Sequence, residues 1–375
     1  MFKKDKLFNI SFLAIMTVLF MTKPTYAYLD PGTGSFVIQV LVGFVAGAGV
    51  LVKMYWNKII SILVVIQLSS KIVESSFRDP SGFLFIENGT IYRQINKKYR
   101  DSYDYLMESG LYDRLVREEL LITHEEVDNK KAKNDDMYKV IKPQRISFIS
   151  YPYEWCFSQL KDAALCTLKI EKIAMEYNMS LKDSSAYNIQ FKDGKAILID
   201  TLSFEKYEEG RPWVAYKQFC QHFLAPLALM SYTDERLNQL LPKKTKFNFS
   251  ILGNIHLHAK TQKSYSDKAV NPKSYNMNRT NFSALINSLE STINKLKWGQ
   301  TNTEWGDYYN NTNYTDESFV EKKSLVERFL TSTNSKTVWD LGANTGVFSR
   351  IASSQDISTV SFDIDPVAVE KNYLS

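Results

Sequence analysis

Residues 338–347, Val-Trp-Asp-Leu-Gly-Ala-Asn-Thr-Gly-Val, constrain this chain more than any other stretch. They predict a buried strand that runs into a glycine-containing turn and then opens a helix. A second predicted strand, 359–363, ends on Asp363. A strand, a glycine turn, a helix and a strand with a terminal carboxylate build half of a nucleotide-binding site. Only two strands of such a sheet fit before Ser375, so the expectation is an incomplete site.

The 375 residues suffice for two or three domains. A hydrophobic content of 44% beside 23% charged residues is ordinary for a folded chain. The net charge of +5 is mild and the two signs interleave, so no nucleic-acid partner is expected. Cys156, Cys166 and Cys220 have neither zinc-ligand nor redox spacing. They read as buried thiols in a reducing compartment.

Lys3, Lys4 and Lys6 precede an apolar run over 7–21, and small residues follow at Thr25 and Ala27. Residues 1–27 therefore read as a secretory signal peptide or a first membrane helix. Residues 36–52 carry no charge, and Lys53 and Lys58 follow with Tyr55 and Trp56. That pattern predicts a transmembrane helix and interface segment within 28–70. The 28–35 run, Tyr-Leu-Asp-Pro-Gly-Thr-Gly-Ser, resembles a small membrane segment of many bacterial proteins. The positive-inside rule then gives a bacterial inner (cytoplasmic) membrane location, with the membrane as a partner and the main domains facing the cytoplasm.

Residues 77–258 read as a central α+β domain. Asn88-Gly89 predicts a hairpin over 82–95, and a helix or helix pair over 99–121 breaks near Gly110. A strand is expected at 146–149. Phe157, Leu160, Ala164 and Leu168 define the buried face of a long helix over 154–177. His222 reads as a packing histidine in an apolar helix interrupted at Pro226. His256 and His258 share one face of a short strand, with no third metal ligand in view.

Beyond that helix the order is Asp183, four residues, Asn188, strand, turn, strand, Asp200. This resembles the catalytic loop and metal-binding strand of kinase-like phosphotransferases. The resemblance implies Asp183 as the catalytic base, with Asn188 and Asp200 holding Mg²⁺ for ATP. Lys182 departs from the family's His-Arg or His-Gly, and Thr201-Leu202 departs from Phe-Gly. No glycine-rich loop precedes, and Arg93 stands at the third-strand lysine position. The alternative gives these residues local duties: Asp183 and Asn188 cap turns, and Asp200 ends a strand.

Residues 259–280 read as a linker and 281–330 as a helical and aromatic connector. Phe282, Leu285, Ile286, Leu289, Ile293 and Leu296 mark an amphipathic helix. Trp298, Trp305, Tyr308, Tyr309 and Tyr314 then crowd together. They either pack the helix over 319–330 onto the last domain, the favoured expectation, or close over a ligand.

The run from Asp340 through Gly342, Ala343, Asn344 and Gly346 resembles motif I of class I S-adenosylmethionine-dependent methyltransferases. Asp363-Ile364-Asp365-Pro366 resembles the segment whose first acid binds the ribose hydroxyls. The resemblance implies S-adenosylmethionine as cofactor. Its contacts would come from Asp340, Gly342, Ala343, Asn344, Gly346 and Asp363. Glycines at 342 and 346 would let the backbone approach the ligand. Asp340 would fix the turn. A nicotinamide fold normally has three glycines in its turn, and Ala343-Asn344-Thr345 breaks that pattern.

Further motifs are Phe77-Arg78-Asp79-Pro80-Ser81-Gly82-Phe83, Tyr151-Pro152-Tyr153-Glu154-Trp155 and Pro212-Trp213-Val214-Ala215-Tyr216, together with residues 181–191 and 199–204. On these the chain more widely resembles a bacterial family of class I methyltransferases related to a nodulation protein.

The expected fold class is α/β. It combines N-terminal membrane helices, the central α+β domain and, over 331–375, the start of a truncated Rossmann-like methyltransferase domain. The expected function is membrane-anchored methyl transfer to an unidentified acceptor, such as an envelope glycan or a lipid-linked molecule. The residues that catalyse the transfer are unassigned, and the truncated chain is expected to be inactive. A phosphotransferase or pseudokinase using Asp183, Asn188 and Asp200 is one alternative. A non-catalytic membrane scaffold is the other.

Overall fold

The computed structural model describes residues 71–73, 76, 79–128, 133–232, 277–299, 303–310 and 312–375. They form a mixed α/β arrangement. The expected signal segment 1–27, the transmembrane segment 28–70, the histidine pair 256/258 and most of the linker 259–280 lie outside the described residues. The inner-membrane location needs correcting. Among the described residues, no helix is long and apolar enough to cross a membrane.

The first layer is an antiparallel sheet of five strands. These are β1 (Lys71–Ile72), β2 (Gly82–Glu87), β3 (Thr90–Asn96), β4 (His124–Val127) and β5 (Met137–Pro143), in the order β1-β2-β3-β5-β4. The β2–β3 hairpin turns on Asn88 (φ 52°) and Gly89 (φ 74°). Positive φ at both central residues matches the right-handed twist of the strands, as the sequence predicts. Two helices, α1 (Arg100–Glu108) and α2 (Leu111–Arg117), separate β3 from β4. They break at Gly110, whose φ of 83° favours glycine.

The strand expected at 146–149 is absent, and β5 lies nearer the N-terminus. Val140 and Ile141 bury in the sheet, while Phe148 packs edge-on against Trp339 and Phe362 of the C-terminal strands. Phe148 thus serves a tertiary contact instead of a ladder.

The second layer is built on α3 (Phe157–Glu176). Its predicted face is buried: Phe157, Leu160, Ala164 and Leu168 all lie in the main apolar core. The helix starts three residues later than expected. Pro152–Glu154 forms a separate 3₁₀ turn, with Glu154 accepting the Tyr151 N–H at 2.8 Å. Then Gln159 accepts the Cys156 N–H at 3.1 Å and starts the long helix.

Short antiparallel pairs follow α3, with β6 (Met179–Leu181) against β9 (Phe204–Lys206) and β7 (Ile189–Lys192) against β8 (Lys195–Leu198). Helices α4 (Tyr216–Phe219), α5 (Ala225–Tyr232) and α6 (Arg279–Lys295) close the core. Phe282, Ile286, Leu289 and Ile293 form the buried face of α6, as their spacing predicts. Cys156, Cys166 and Cys220 are all buried thiols.

The C-terminal elements are α7 (Asp316–Thr333), β10 (Thr337–Leu341), α8 (Val347–Ser353), β11 (Ser358–Phe362) and α9 (Pro366–Leu374). Strands β10 and β11 pair in parallel, from Thr337 opposite Ser358 to Leu341 opposite Phe362. Parallel neighbours need a crossover, and α8 supplies it. The expectation of a buried strand here is corrected. Among the described residues β10 pairs only with β11, so Trp339 and Leu341 stay 64% and 75% exposed. Helix α9 instead docks on the first turns of α3. Glu370 accepts both the backbone N–H and the hydroxyl of Ser158, and Tyr373 donates to Asp162 at 2.7 Å.

Candidate functional site

The turn after β10 is organised by the strand beside it. The Gly342 and Ala343 N–H groups both donate to the Phe362 carbonyl, at 2.8 and 2.9 Å. That folds the chain back across the end of β11. Gly342 has φ +82°, and a Cβ built on it would meet nothing within 4 Å. The space in front of this backbone is open. Gly346 has φ +75°, but a Cβ there would collide with the Asn372 amide. The glycine there makes room for the Asn372 side chain of α9 beside the start of α8. Asn344, at φ 49°, completes a left-handed turn between them.

Asp363 sits where the sequence places it, at the end of β11. One carboxylate oxygen accepts the Asn344 N–H at 2.7 Å, and the other accepts the Asp365 N–H at 2.8 Å. Each oxygen keeps further acceptor capacity. Asp340 plays a structural part, accepting the Ser349 hydroxyl at 2.7 Å and so fixing α8 to β10. Ala343 is buried.

A cavity of about 720 Å³ opens over this turn. Gly342, Asn344 and Asp363 line it from the turn, and Trp305, Tyr308 and Tyr309 line it from the connector. The aromatic stretch packs on the following helix, as favoured from the sequence, and it also lines the cavity. Tyr309 packs on Phe319 of α7 and Phe348 of α8, and it also walls the cavity. The Asn344 side chain donates to the Trp305 carbonyl at 2.6 Å, and Lys371 donates to the Gly306 carbonyl at 2.9 Å. Burial, with the Asp340 carboxylate next in weight, holds the Tyr309 hydroxyl above its usual range. It therefore stays protonated and able to donate. Sequence reasoning missed Phe348 and Lys322 in the lining. Lys322 lies 4.8 Å from the Phe348 ring centre, a cation–π contact that no local spacing announces.

The three residues of the phosphotransferase alternative have other partners. Asp183 accepts the Ser185 N–H at 3.0 Å, and Asn188 donates to the Ser203 hydroxyl at 3.3 Å. Asp200 accepts the Leu202 N–H at 2.9 Å and pairs with Arg93 at 2.6 Å. Arg93 also reaches Asp79 at 3.3 Å. Lys182 donates to the Ser81 hydroxyl at 2.6 Å and lies over the Tyr99 ring. Among the described residues, no group of three or more His, Cys, Asp or Glu side chains forms a metal site.

The molecule is thus a mixed α/β protein whose last strands carry a glycine turn and an acid beneath an aromatic wall. No family model matches the chain. It is 30% identical over 322 residues to the nodulation protein NoeA of Rhizobium meliloti (strain 1021), a match that spans 80% of this chain and 67% of NoeA. The chain belongs to the NoeA-related family. A solved structure of vaccinia related kinase 3 superposes with a TM-score of 0.34 at 10% identity, over 61% of this chain and 91% of that one.

Proposed function

We propose that this chain serves S-adenosylmethionine-dependent methyl transfer, with the β10–α8–β11 segment supplying the ribose-side half of the cofactor site. The observation that carries this reading is the pairing of open backbone at Gly342 with the Asp363 carboxylate at the rim of one cavity. The donor set fits the group. Asp363 has acceptor capacity left on both oxygens for two neighbouring hydroxyls. The aromatic wall offers Trp305, Tyr308 and Tyr309 to a flat base. Asp363 and the Gly342 backbone would hold the cofactor, which when bound would supply an electrophilic sulfonium methyl group for an acceptor oxygen or nitrogen. The chain's own part is to position: Asn344 ties the turn to the connector, and Asp340 holds α8 in place. The motif resemblance over 340–346 and 363–366 supports the same reading.

Titrating S-adenosylhomocysteine into the chain should quench the fluorescence of Trp305, which lines the cavity. Asp363→Ala should weaken the response by about tenfold or more, since it removes charge-assisted hydrogen bonds worth roughly 1.5–3 kcal/mol. An identical titration for Asp363→Ala and the parent would sink the assignment.

A second reading, a kinase-like pseudoenzyme in the central region, draws support from the Arg93–Asp200 contact. Arg93 lies on β3, and Asp200 follows β8. In kinase-like phosphotransferases, the corresponding strand carries a lysine for the phosphates and the corresponding acid holds Mg²⁺. Here a guanidinium is seated directly on that acid. The expected result is that Mg²⁺-ATP leaves the melting temperature unchanged. A stabilising shift that disappears in Asp200→Ala would favour an active phosphotransferase instead.

A further inference from the structure

A second cavity, of about 610 Å³, lies away from the glycine turn. Pro152, Tyr153, Tyr187, Gln221, His222 and Pro226 line it. Among the described residues of its lining, none carries a formal charge.

The wall has a clear physical origin. Pro226 has no amide hydrogen to donate to the His222 carbonyl. The helix accommodates this by widening into a π turn over Cys220–Leu224, between α4 and α5. Such wide turns recur at functional sites. Gln221 and His222 both sit on this one. The His222 Nδ1 accepts the Ala186 N–H at 3.3 Å and lies 3.2 Å from the Ser185 hydroxyl. Burial holds the ring below its usual range, against the opposing pull of Asp183. The imidazole is therefore neutral, with its hydrogen on Nε2, which no hydrogen bond occupies among the described residues.

The aromatic residues complete the picture. Tyr153 and Tyr187 are 50% and 53% exposed at the cavity. Tyr151 stacks on Tyr153 at 5.4 Å, with the planes 2° apart. Tyr187 meets His222 edge-on at 6.1 Å. Single exposed aromatics need no explanation, but oriented rings at one uncharged, hydrogen-bonding cavity do.

We infer that this cavity binds a neutral carbohydrate unit, with a sugar ring face on Tyr153 or Tyr187 and its hydroxyls met by Gln221 and His222. A pyranose joins an apolar C–H face to a rim of hydroxyls, which is the complement of this wall. A uronic acid or phosphate would find no counter-charge in the described lining, and an acyl chain would leave the amide and imidazole without partners. The volume falls in the usual range for small-ligand sites, roughly 300–1,000 Å³. Leu160 of α3 also lines the cavity, and Ser158 and Asp162 of the same turns hold α9. The cavity and the glycine-turn segment are thus braced on one stretch of helix. As a methyl-acceptor site this depends on the methyl-transfer reading; as a binding site it does not.

Saturation-transfer-difference NMR on the full chain tests it, with no cofactor present. Cellotetraose, maltotetraose and mannotetraose are the neutral probes, and tetragalacturonate is the charged one. Saturation is expected at ring C–H protons of at least one neutral probe. The double variant Tyr153→Ala/Tyr187→Ala should weaken binding by about tenfold or more. Tyr187→Phe, which keeps the ring face, should stay within about twofold of the parent. Both positions are exposed, so folding is not at stake. No transfer to any neutral probe, transfer that survives the double variant, or preference for tetragalacturonate would each overturn the proposal. Because no cofactor is added, such a failure leaves methyl transfer to be decided separately by the S-adenosylhomocysteine titration.

Discussion

Replacing Arg93 with methionine should lower the melting temperature by roughly 4–8 °C. That follows from about 3–5 kcal/mol for breaking a buried ion pair and about 1.3–1.6 °C per kcal/mol, since an unfolding entropy of about 2.1 cal/mol/K per residue sums to about 0.6–0.8 kcal/mol/K over roughly 300–375 residues. The side chains of Arg93 and Asp200 are only 11% and 14% exposed. Arg93 bridges two carboxylates, Asp200 at 2.6 Å and Asp79 at 3.3 Å. Methionine fills similar volume but leaves both acids without that cation.

The geometry makes the effect specific. One guanidinium spans both acids through separate nitrogens, whereas a lysine ammonium is a point charge. Arg93→Lys should therefore recover only part of the loss. Asp200→Asn should be milder than Arg93→Met, since its amide oxygen still accepts the Leu202 N–H now made to Asp200 at 2.9 Å. The double variant Arg93→Met/Asp200→Asn should be less destabilised than the sum of the two singles. Thermal denaturation followed by circular dichroism at neutral pH reads all four. Equal melting temperatures for the parent and Arg93→Met would show that the contact holds nothing together.

That contact also marks the boundary of what the sequence could disclose. Features set by a few neighbouring residues were legible. Asn88-Gly89 specified the hairpin turn, Gly110 the break between α1 and α2, and the spacing of Phe282, Ile286, Leu289 and Ile293 the buried face of α6. The turn-capping duty of Asp183 was legible as an alternative, because it bonds to backbone two residues on; the same alternative made Asn188 a cap and Asp200 a strand end, whereas Asn188 donates to the Ser203 hydroxyl and it is Asp200 that caps a turn, at Leu202. Asp363 was placed at the end of β11 from pattern alone. Features that depend on distant partners were hidden. Nothing near Arg93 announces Asp200, and nothing near Phe148 announces Trp339, so the tetrapeptide Ile146-Ser147-Phe148-Ile149 read as a strand. Pro226 signalled an interruption but not a π turn that would turn Gln221 and His222 onto a cavity wall. The strand β5 was missed because charged residues interrupt it, at Lys139 and Lys142, beside the buried pair Val140 and Ile141.

Glu171→Gln should make the protein more stable at pH 8 and above, and change little near pH 4.5. Glu171 lies on α3 and is fully buried, with the Ser180 hydroxyl at 2.7 Å and the Leu181 N–H at 2.6 Å as its donors. Burial pushes its carboxyl up to about 8, the Glu205 carboxylate adds to the rise, and the two hydrogen bonds oppose it. In the unfolded chain the group ionises near its ordinary 4.5. The folded state therefore holds a proton that the unfolded state has released, throughout the interval between those values. Stability from this group is fully present below pH 4.5, declines as pH rises, and is lost once pH passes about 8. The whole span amounts to about 5 kcal/mol at most, at about 1.4 kcal/mol per pH unit. Glutamine keeps the shape and satisfies both neighbours: its oxygen accepts the Leu181 N–H and its amide donates to the Ser180 oxygen. It removes the titration, so the slope of stability against pH should flatten between pH 5 and 8. Urea denaturation of parent and variant across that range gives the comparison directly. Two parallel curves would mean that Glu171 ionises alike in both states, and the buried acid beneath β6 would have no part in the protein's response to pH.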